Sequence, residues 1–367
     1  MKLDRIFQAV EETQFLKQLS LQDRLFLVGE AAPLEYIQSF FDCCKETDRN
    51  YYCVVSGNEP IAQKSQNIAS YRAIVVVSVR DEAALWSEVK QQVALLDVNL
   101  PVLRLFGDIF INLLCRQPLL QTVSDRITKP HLSYAIVTTP RSGSTYLCDL
   151  LSSTNIAGYP SEHLRLAAQE LALYCNFNYL ELLDNLMQYR TTDNGVFGTK
   201  FISHFLFEFR KTKPDFRQIF RSFDKFVLLI RKDKLAQAVS LELAQKTEIW
   251  HLDSNNKNTD YQSKLAEVEI DNFLLDNIEQ KYNFICEQEA HLKKVLANNK
   301  IAPLEVFYED ILEDARSQVV RILEFLAIAN PEAYVTQINS GIKKMPSHIS
   351  TEIMVQYRKK KSTACET

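Results

Sequence analysis

Residues 134–146 read Tyr-Ala-Ile-Val-Thr-Thr-Pro-Arg-Ser-Gly-Ser-Thr-Tyr. The apolar, β-branched run 134–138 predicts a buried strand. It gives way after Pro140 to small and hydroxyl residues, and a helical pattern begins near Tyr146. Strand, tight turn and helix N-terminus in that order make an anion cradle. Small residues at Ser142, Gly143, Ser144 and Thr145 let backbone N–H groups converge, the helix dipole favours negative charge, and the hydroxyls add donors. Arg141 supplies a fixed positive charge. A turn that holds Ser and Gly for shape alone is the competing reading. The loop is no Walker A sequence, because G-x-x-x-x-G-K-[ST] and its phosphate-reaching lysine are missing, which argues against a kinase or ATPase.

Downstream, residues 195–201, 226–230 and 304–307 predict further buried strands, each followed by a helical pattern. Residues 262–298 can hold one long helix or two. Ile311, Leu312, Val319, Val320, Ile322, Leu323 and Leu326 line one face of a single amphipathic helix over 310–327. The polar stretch 253–262 predicts an exposed loop. Upstream, residues 24–28, 51–55, 73–79 and 102–106 predict strands and 81–96 a helix, the alternation of a small parallel α/β layer. Gly29 closes the first of these strands, and the other glycines of a dinucleotide turn are absent. The polar connector 121–131 separates two domains: residues 1–130, a small Rossmann-like α/β accessory or oligomerisation domain, and 131–367, a P-loop-like α/β domain with a parallel sheet.

The chain has 367 residues, 46% of them hydrophobic, and a formal net charge of -4. That balance offers no field for a nucleic-acid backbone or an anionic membrane, so neither partner is expected. The acid-bearing, amphipathic N-terminus reads as a helix rather than an export signal, and no apolar run reaches the roughly 20 residues that span a bilayer. A cytoplasmic protein is expected. Eight scattered cysteines without a C-x-x-C pair read as free thiols, and six dispersed histidines give no metal-ligand spacing, so no protein-bound metal is expected.

Thr-Thr-Pro-Arg-Ser-Gly-Ser-Thr-Tyr-Leu at 138–147, followed by Asn-Ile-Ala-Gly-Tyr-Pro-Ser-Glu-His-Leu at 155–164, resembles the donor loop and following segment of PAPS-dependent sulfotransferases, nearest the bacterial trehalose 2-sulfotransferase family. The resemblance continues through residues 194–200, 230–233, 237–240 and 248–250 to 355–358, in order. It implies that Arg141, Ser142, Gly143, Ser144 and Thr145 grip the 5′-phosphosulfate of PAPS (3′-phosphoadenosine 5′-phosphosulfate). Arg231 and Ser240 then read the 3′-phosphate, and Glu162 is the general base that takes a proton from the hydroxyl of a small-molecule acceptor, a sugar, polyol or natural product. The product nucleotide is 3′,5′-ADP.

The same residues also fit purely structural roles. Ser161 could N-cap a helix with Glu162 in its first turn, and His163 is a rival base. Arg231 could simply end a strand, Ser240 could be a small packing residue, and Gln237, one turn earlier, is the alternative phosphate partner. Lys200 faces the sulfuryl group or acceptor, or else snorkels at a strand edge. Arg358 and the basic run 359–361 form a flap over the nucleotide or a solvated tail. Trp250 and Tyr159 are packing surfaces for adenine, acceptor or core. Two rival functions remain: a nucleotide-binding scaffold without turnover, and an ATP-using transferase.

Overall fold

The computed structural model describes residues 2–11, 13–22, 24–43, 52–55, 68–96, 98–121, 129–164, 168, 171, 175, 179–208, 216–250, 258–341 and 348–365. Its strands are β1 (Leu25–Gly29), β2 (Tyr52–Val55), β3 (Ala73–Val77), β4 (Val102–Arg104), β5 (Leu132–Thr138), β6 (Val196–Ile202), β7 (Lys225–Ile230) and β8 (Leu304–Phe307). The helices are α1 (Lys2–Glu11), α2 (Phe15–Ser20), α3 (Ala31–Cys43), α4 (Glu82–Ala94), α5 (Ile111–Cys115), α6 (Ser144–Ser153), α7 (Tyr179–Arg190), α8 (Ser203–Glu208), α9 (Phe216–Arg221), α10 (Lys234–Thr247), α11 (Asn258–Ala266), α12 (Asn272–Asn298), α13 (Tyr308–Glu313), α14 (Ala315–Phe325) and α15 (His348–Cys365).

Contacts divide the chain into two units, and the division is not a single cut near residue 130. Met1–Lys129 groups with His163–Arg190 and Glu208–Phe220, and the remainder forms the second unit. In the first unit four parallel strands run in the order β2-β1-β3-β4. β1 and β3 are buried along their whole length, which is why they read as continuous apolar runs. The strand expected over 102–106 stops at Arg104. Asp108 accepts the Arg104 N–H at 2.7 Å, while Glu82 accepts those of Phe106 and Gly107 at 2.9 and 2.8 Å, and Leu105–Phe110 coils into a π-helical turn instead. Residues 122–128 of the expected connector lie outside the described residues.

The second unit carries the sheet β6-β5-β7-β8, all parallel, with Ile136 opposite Lys200 on one side and Val227 on the other. Tyr134 and Ile136 of β5, Val227 and Leu229 of β7 and Val306 of β8 pack against Leu147, Leu150 and Leu151 of α6 and Val319, Ile322 and Leu323 of α14. Each such side chain contributes about 1.5–3 kcal/mol on leaving water. Chain order starts at β5, steps to β6, and crosses back to β7, so the switch point lies between β5 and β7, where open parallel sheets place their ligands.

Local chemistry set the helix boundaries here, and two of them differ from those expected. The face expected over 310–327 belongs to two helices, because Asp314 accepts the Ser317 N–H at 3.0 Å and caps α14 afresh. Asp271 likewise caps α12 and separates it from α11. Residues 258–262 of the expected polar loop are helical, in α11, and 251–257 lie outside the described residues.

Candidate active site

The cradle sits at the β5–α6 junction. Gly143 adopts φ +85°, and a Cβ there would lie 2.2 Å from Tyr308 Cδ2, so only glycine fits between loop and ring. Arg141 is also left-handed, at φ 61°, a costly conformation for a residue that carries a Cβ and one that structures retain at functional loops. α4, α10, α12 and α14 each carry an aspartate cap, at Asp81, Asp233, Asp271 and Asp314. α6 has no side-chain cap, which leaves its first amides for a ligand. Ser142 is wholly buried with its Oγ 2.6 Å from Thr138 Oγ1, so its hydroxyl is already engaged within the loop.

Arg141 and Arg231 come together at the switch point. Arg231, just past β7, donates from Nη1 to the Arg141 carbonyl at 3.2 Å. Arg141 donates from Nε to Ser240 Oγ at 3.1 Å and from Nη1 to the Trp250 carbonyl. Burial, with Arg231 adding like-charge repulsion, pushes the Arg141 guanidinium down to about 10, while the phenols of Tyr261 and Tyr308 act the other way. Burial also lowers Arg231. An anion between the two would relieve both effects. The Arg231 guanidinium lies over the Tyr308 ring, 5.2 Å from its centroid. Gln237, on the first turn of α10, donates to Thr139 Oγ1 at 2.8 Å and to the Pro140 carbonyl at 2.7 Å.

Glu162 and Lys200 meet on the β6 side. Gly158, at φ +69°, lets the chain pass against β6, where a Cβ would lie 2.6 Å from the Gly198 N atom. Residues 161–163 are not helical, so Ser161 caps nothing; its carbonyl accepts the Lys200 N–H at 2.9 Å and the Thr199 hydroxyl at 3.2 Å. Glu162 thereby lies beside Lys200, with Nζ 3.3 Å from Oε2. The same Nζ is 3.3 Å from Thr145 Oγ1 of the cradle helix. Lys200 is only 4% exposed, so it does not snorkel, although β6 is an edge strand. The structure thus gathers Glu162, Lys200 and Thr145 in one cluster and Arg141, Arg231 and Ser240 in another, both at the ends of the same cradle.

Other candidates are placed elsewhere. His163 is buried and belongs to a segment grouped with the first unit. Arg358 is exposed on α15, whose Lys360 and Lys361 pair with Asp276 (2.6 Å) and Glu279 of α12 and whose Ile353 packs into the core of α10 and α12. Trp250 is 45% exposed and engages Arg141 through its carbonyl, and Tyr159 is half-buried. Tyr261 and Tyr308 escaped sequence reasoning. Tyr308 carries a signal like that of Arg231, being the first residue past a strand of the same sheet. Among the described residues no cluster of three or more His, Cys, Asp or Glu could hold a metal, and no helix is long and apolar enough to cross a membrane.

No curated protein matches the chain. Among solved structures, the sulfotransferase domain from the Synechococcus PCC 7002 olefin synthase aligns with a TM-score of 0.28 and 16% identity over 64% of this chain and 90% of its own. The family described as Stf0 sulphotransferase matches residues 133–360, more than half of the chain, from within β5 to within α15. The uncapped cradle at 141–145, the paired arginines and the Glu162–Lys200 pair lie within that match, and the chain belongs to the Stf0 sulphotransferase family.

Proposed function

We propose that the chain transfers the sulfuryl group of PAPS to a hydroxyl of a sugar, polyol or natural product and releases 3′,5′-ADP. The observation that carries this reading is the contact of Arg231 with the Arg141 carbonyl at 3.2 Å. It sets two cations beside one loop, as a nucleotide that is anionic on both sides of one ribose requires. The amides of 142–145, the hydroxyls of Ser144 and Thr145 and the Arg141 guanidinium would hold the phosphosulfate. Arg231 and Ser240 would hold the 3′-phosphate.

In the transfer step Glu162 takes the proton of the acceptor hydroxyl as that oxygen bonds to sulfur. The bond from sulfur to the bridging oxygen breaks, and the electron pair leaves on the 5′-phosphate. Arg141 and the loop amides meet the charge as it grows, which is where fixed donors lower a barrier most. Lys200, bonded to both Glu162 and Thr145, steers the base and the sulfuryl oxygens toward each other. The first unit, Met1–Lys129 with His163–Arg190 and Glu208–Phe220, serves as an accessory or oligomerisation domain. The test is incubation with PAPS labelled in its sulfuryl group and a panel of sugars, polyols and natural-product alcohols. A labelled ester formed with one equivalent of 3′,5′-ADP is expected; label that stays on the nucleotide with every alcohol defeats the reading.

A further inference from the structure

Four hydrogen bonds tie the β7–α10 segment to three successive loop residues. Gln237 Nε2 reaches Thr139 Oγ1 and the Pro140 carbonyl, Arg231 Nη1 reaches the Arg141 carbonyl, and Ser240 Oγ receives Arg141 Nε. Arg141, Arg231 and Ser240 are partly exposed and can touch a ligand. Gln237 is 0% exposed and cannot. Its Oε1 is buried without a hydrogen-bond partner among the described residues, a cost that leucine or methionine at this site would avoid. What the amide supplies in exchange is its two donors, and both go to the loop.

The element that carries Gln237 is itself held firmly. Asp233 caps α10 by accepting the Ala236 N–H at 2.9 Å, and Glu309 accepts the N–H groups of Lys232 and Asp233 at 2.9 and 3.1 Å. The loop therefore takes its position from a rigid helix start.

We infer that Gln237 is a positioning residue that fixes the distance between the 5′-phosphosulfate cradle and the 3′-phosphate site, and so makes the protein selective for nucleotides phosphorylated on both sides of the ribose. The inference rests on the donor reading above. A ligand with two anchors gains from the second only when the spacing of the two sites matches its own. A ligand with one anchor is indifferent to that spacing. Loss of the amide donors should therefore weaken a bisphosphate and spare a monophosphate.

The experiment is calorimetric titration of wild type and Gln237→Met with 3′,5′-ADP, 5′-AMP and 3′-AMP. For Gln237→Met, 3′,5′-ADP should bind roughly tenfold more weakly, with each monophosphate changed by less than about twofold. Thr139→Val, which removes one of the two acceptors and keeps the shape, should shift the same ratio in the same direction by less, and it decides the matter if Gln237→Met does not fold. An unchanged affinity for 3′,5′-ADP overturns the inference, and so does an equal loss for all three ligands, which marks general damage to the loop. Wild type that fails to prefer 3′,5′-ADP over 5′-AMP overturns the donor reading itself, and the inference with it.

Discussion

Alanine at Gly143 would place its methyl 2.2 Å from Tyr308 Cδ2 and 2.4 Å from Cε2. A relaxed carbon contact needs about 3.5–4.0 Å, so ring or loop must retreat by more than about 1 Å. The ring cannot move freely, because the Arg231 guanidinium lies over it. A left-handed backbone costs an L side chain about 1–2 kcal/mol, and overpacking typically adds about 1–3 kcal/mol. If the loop yields, the resulting strain of about 2–5 kcal/mol falls on the anion site and weakens 3′,5′-ADP by roughly 30-fold to several thousandfold. If the loop holds, the strain instead lowers the melting temperature of Gly143→Ala by about 4–20 °C. Titration calorimetry and thermal unfolding on the same samples read both outcomes. Wild-type affinity together with wild-type melting would refute the close packing of Tyr308 on the cradle.

Other perturbations separate the parts of the site. Glu162→Gln should lower kcat by about 10²–10⁴ and leave 3′,5′-ADP affinity unchanged, as steady-state kinetics and calorimetry would show. Arg231→Met should weaken 3′,5′-ADP by about 2 kcal/mol or more and leave ATP nearly unaffected, and thermal unfolding without nucleotide should show little loss, because a shielded cation has been removed. In the first unit, burial raises the Glu82 carboxyl from 4.5 to about 8. A folded pKa above the unfolded one means stability that is full below about 4.5 and is lost as pH rises through about 8. Melting curves between pH 5 and 9 should show this decline, and Glu82→Gln should flatten it.

β5 and β7 were legible because parallel strands covered on both faces leave apolar runs, and they, like the half-exposed β8, fell within two residues of their expected ends. The cradle was legible for a related reason: strand, small residues and helix are contiguous. Contacts across long separations were not. Gln237 meets Thr139 and Pro140 98 and 97 residues away, and the Trp250 carbonyl meets Arg141 across 109. No local pattern encodes such pairings. The break at Asp314 was hidden because apolar spacing runs through both α13 and α14, while the cap that divides them is a single side chain. For Lys200 the sequence permits two readings, facing the reacting groups or snorkelling at a strand edge, because nothing local shows what lies beside it; the carboxylate of Glu162 and the hydroxyl of Thr145 are what keep its ammonium inside.

A crystal structure with 3′,5′-ADP at saturating concentration bears on all of this at once. The 5′-phosphate should lie within hydrogen-bonding distance of the amides of 142–145, and the 3′-phosphate should lie on Arg231 and Ser240. A nucleotide bound anywhere else, or a β5–α6 junction left empty at saturation, would contradict the assignment of the cradle.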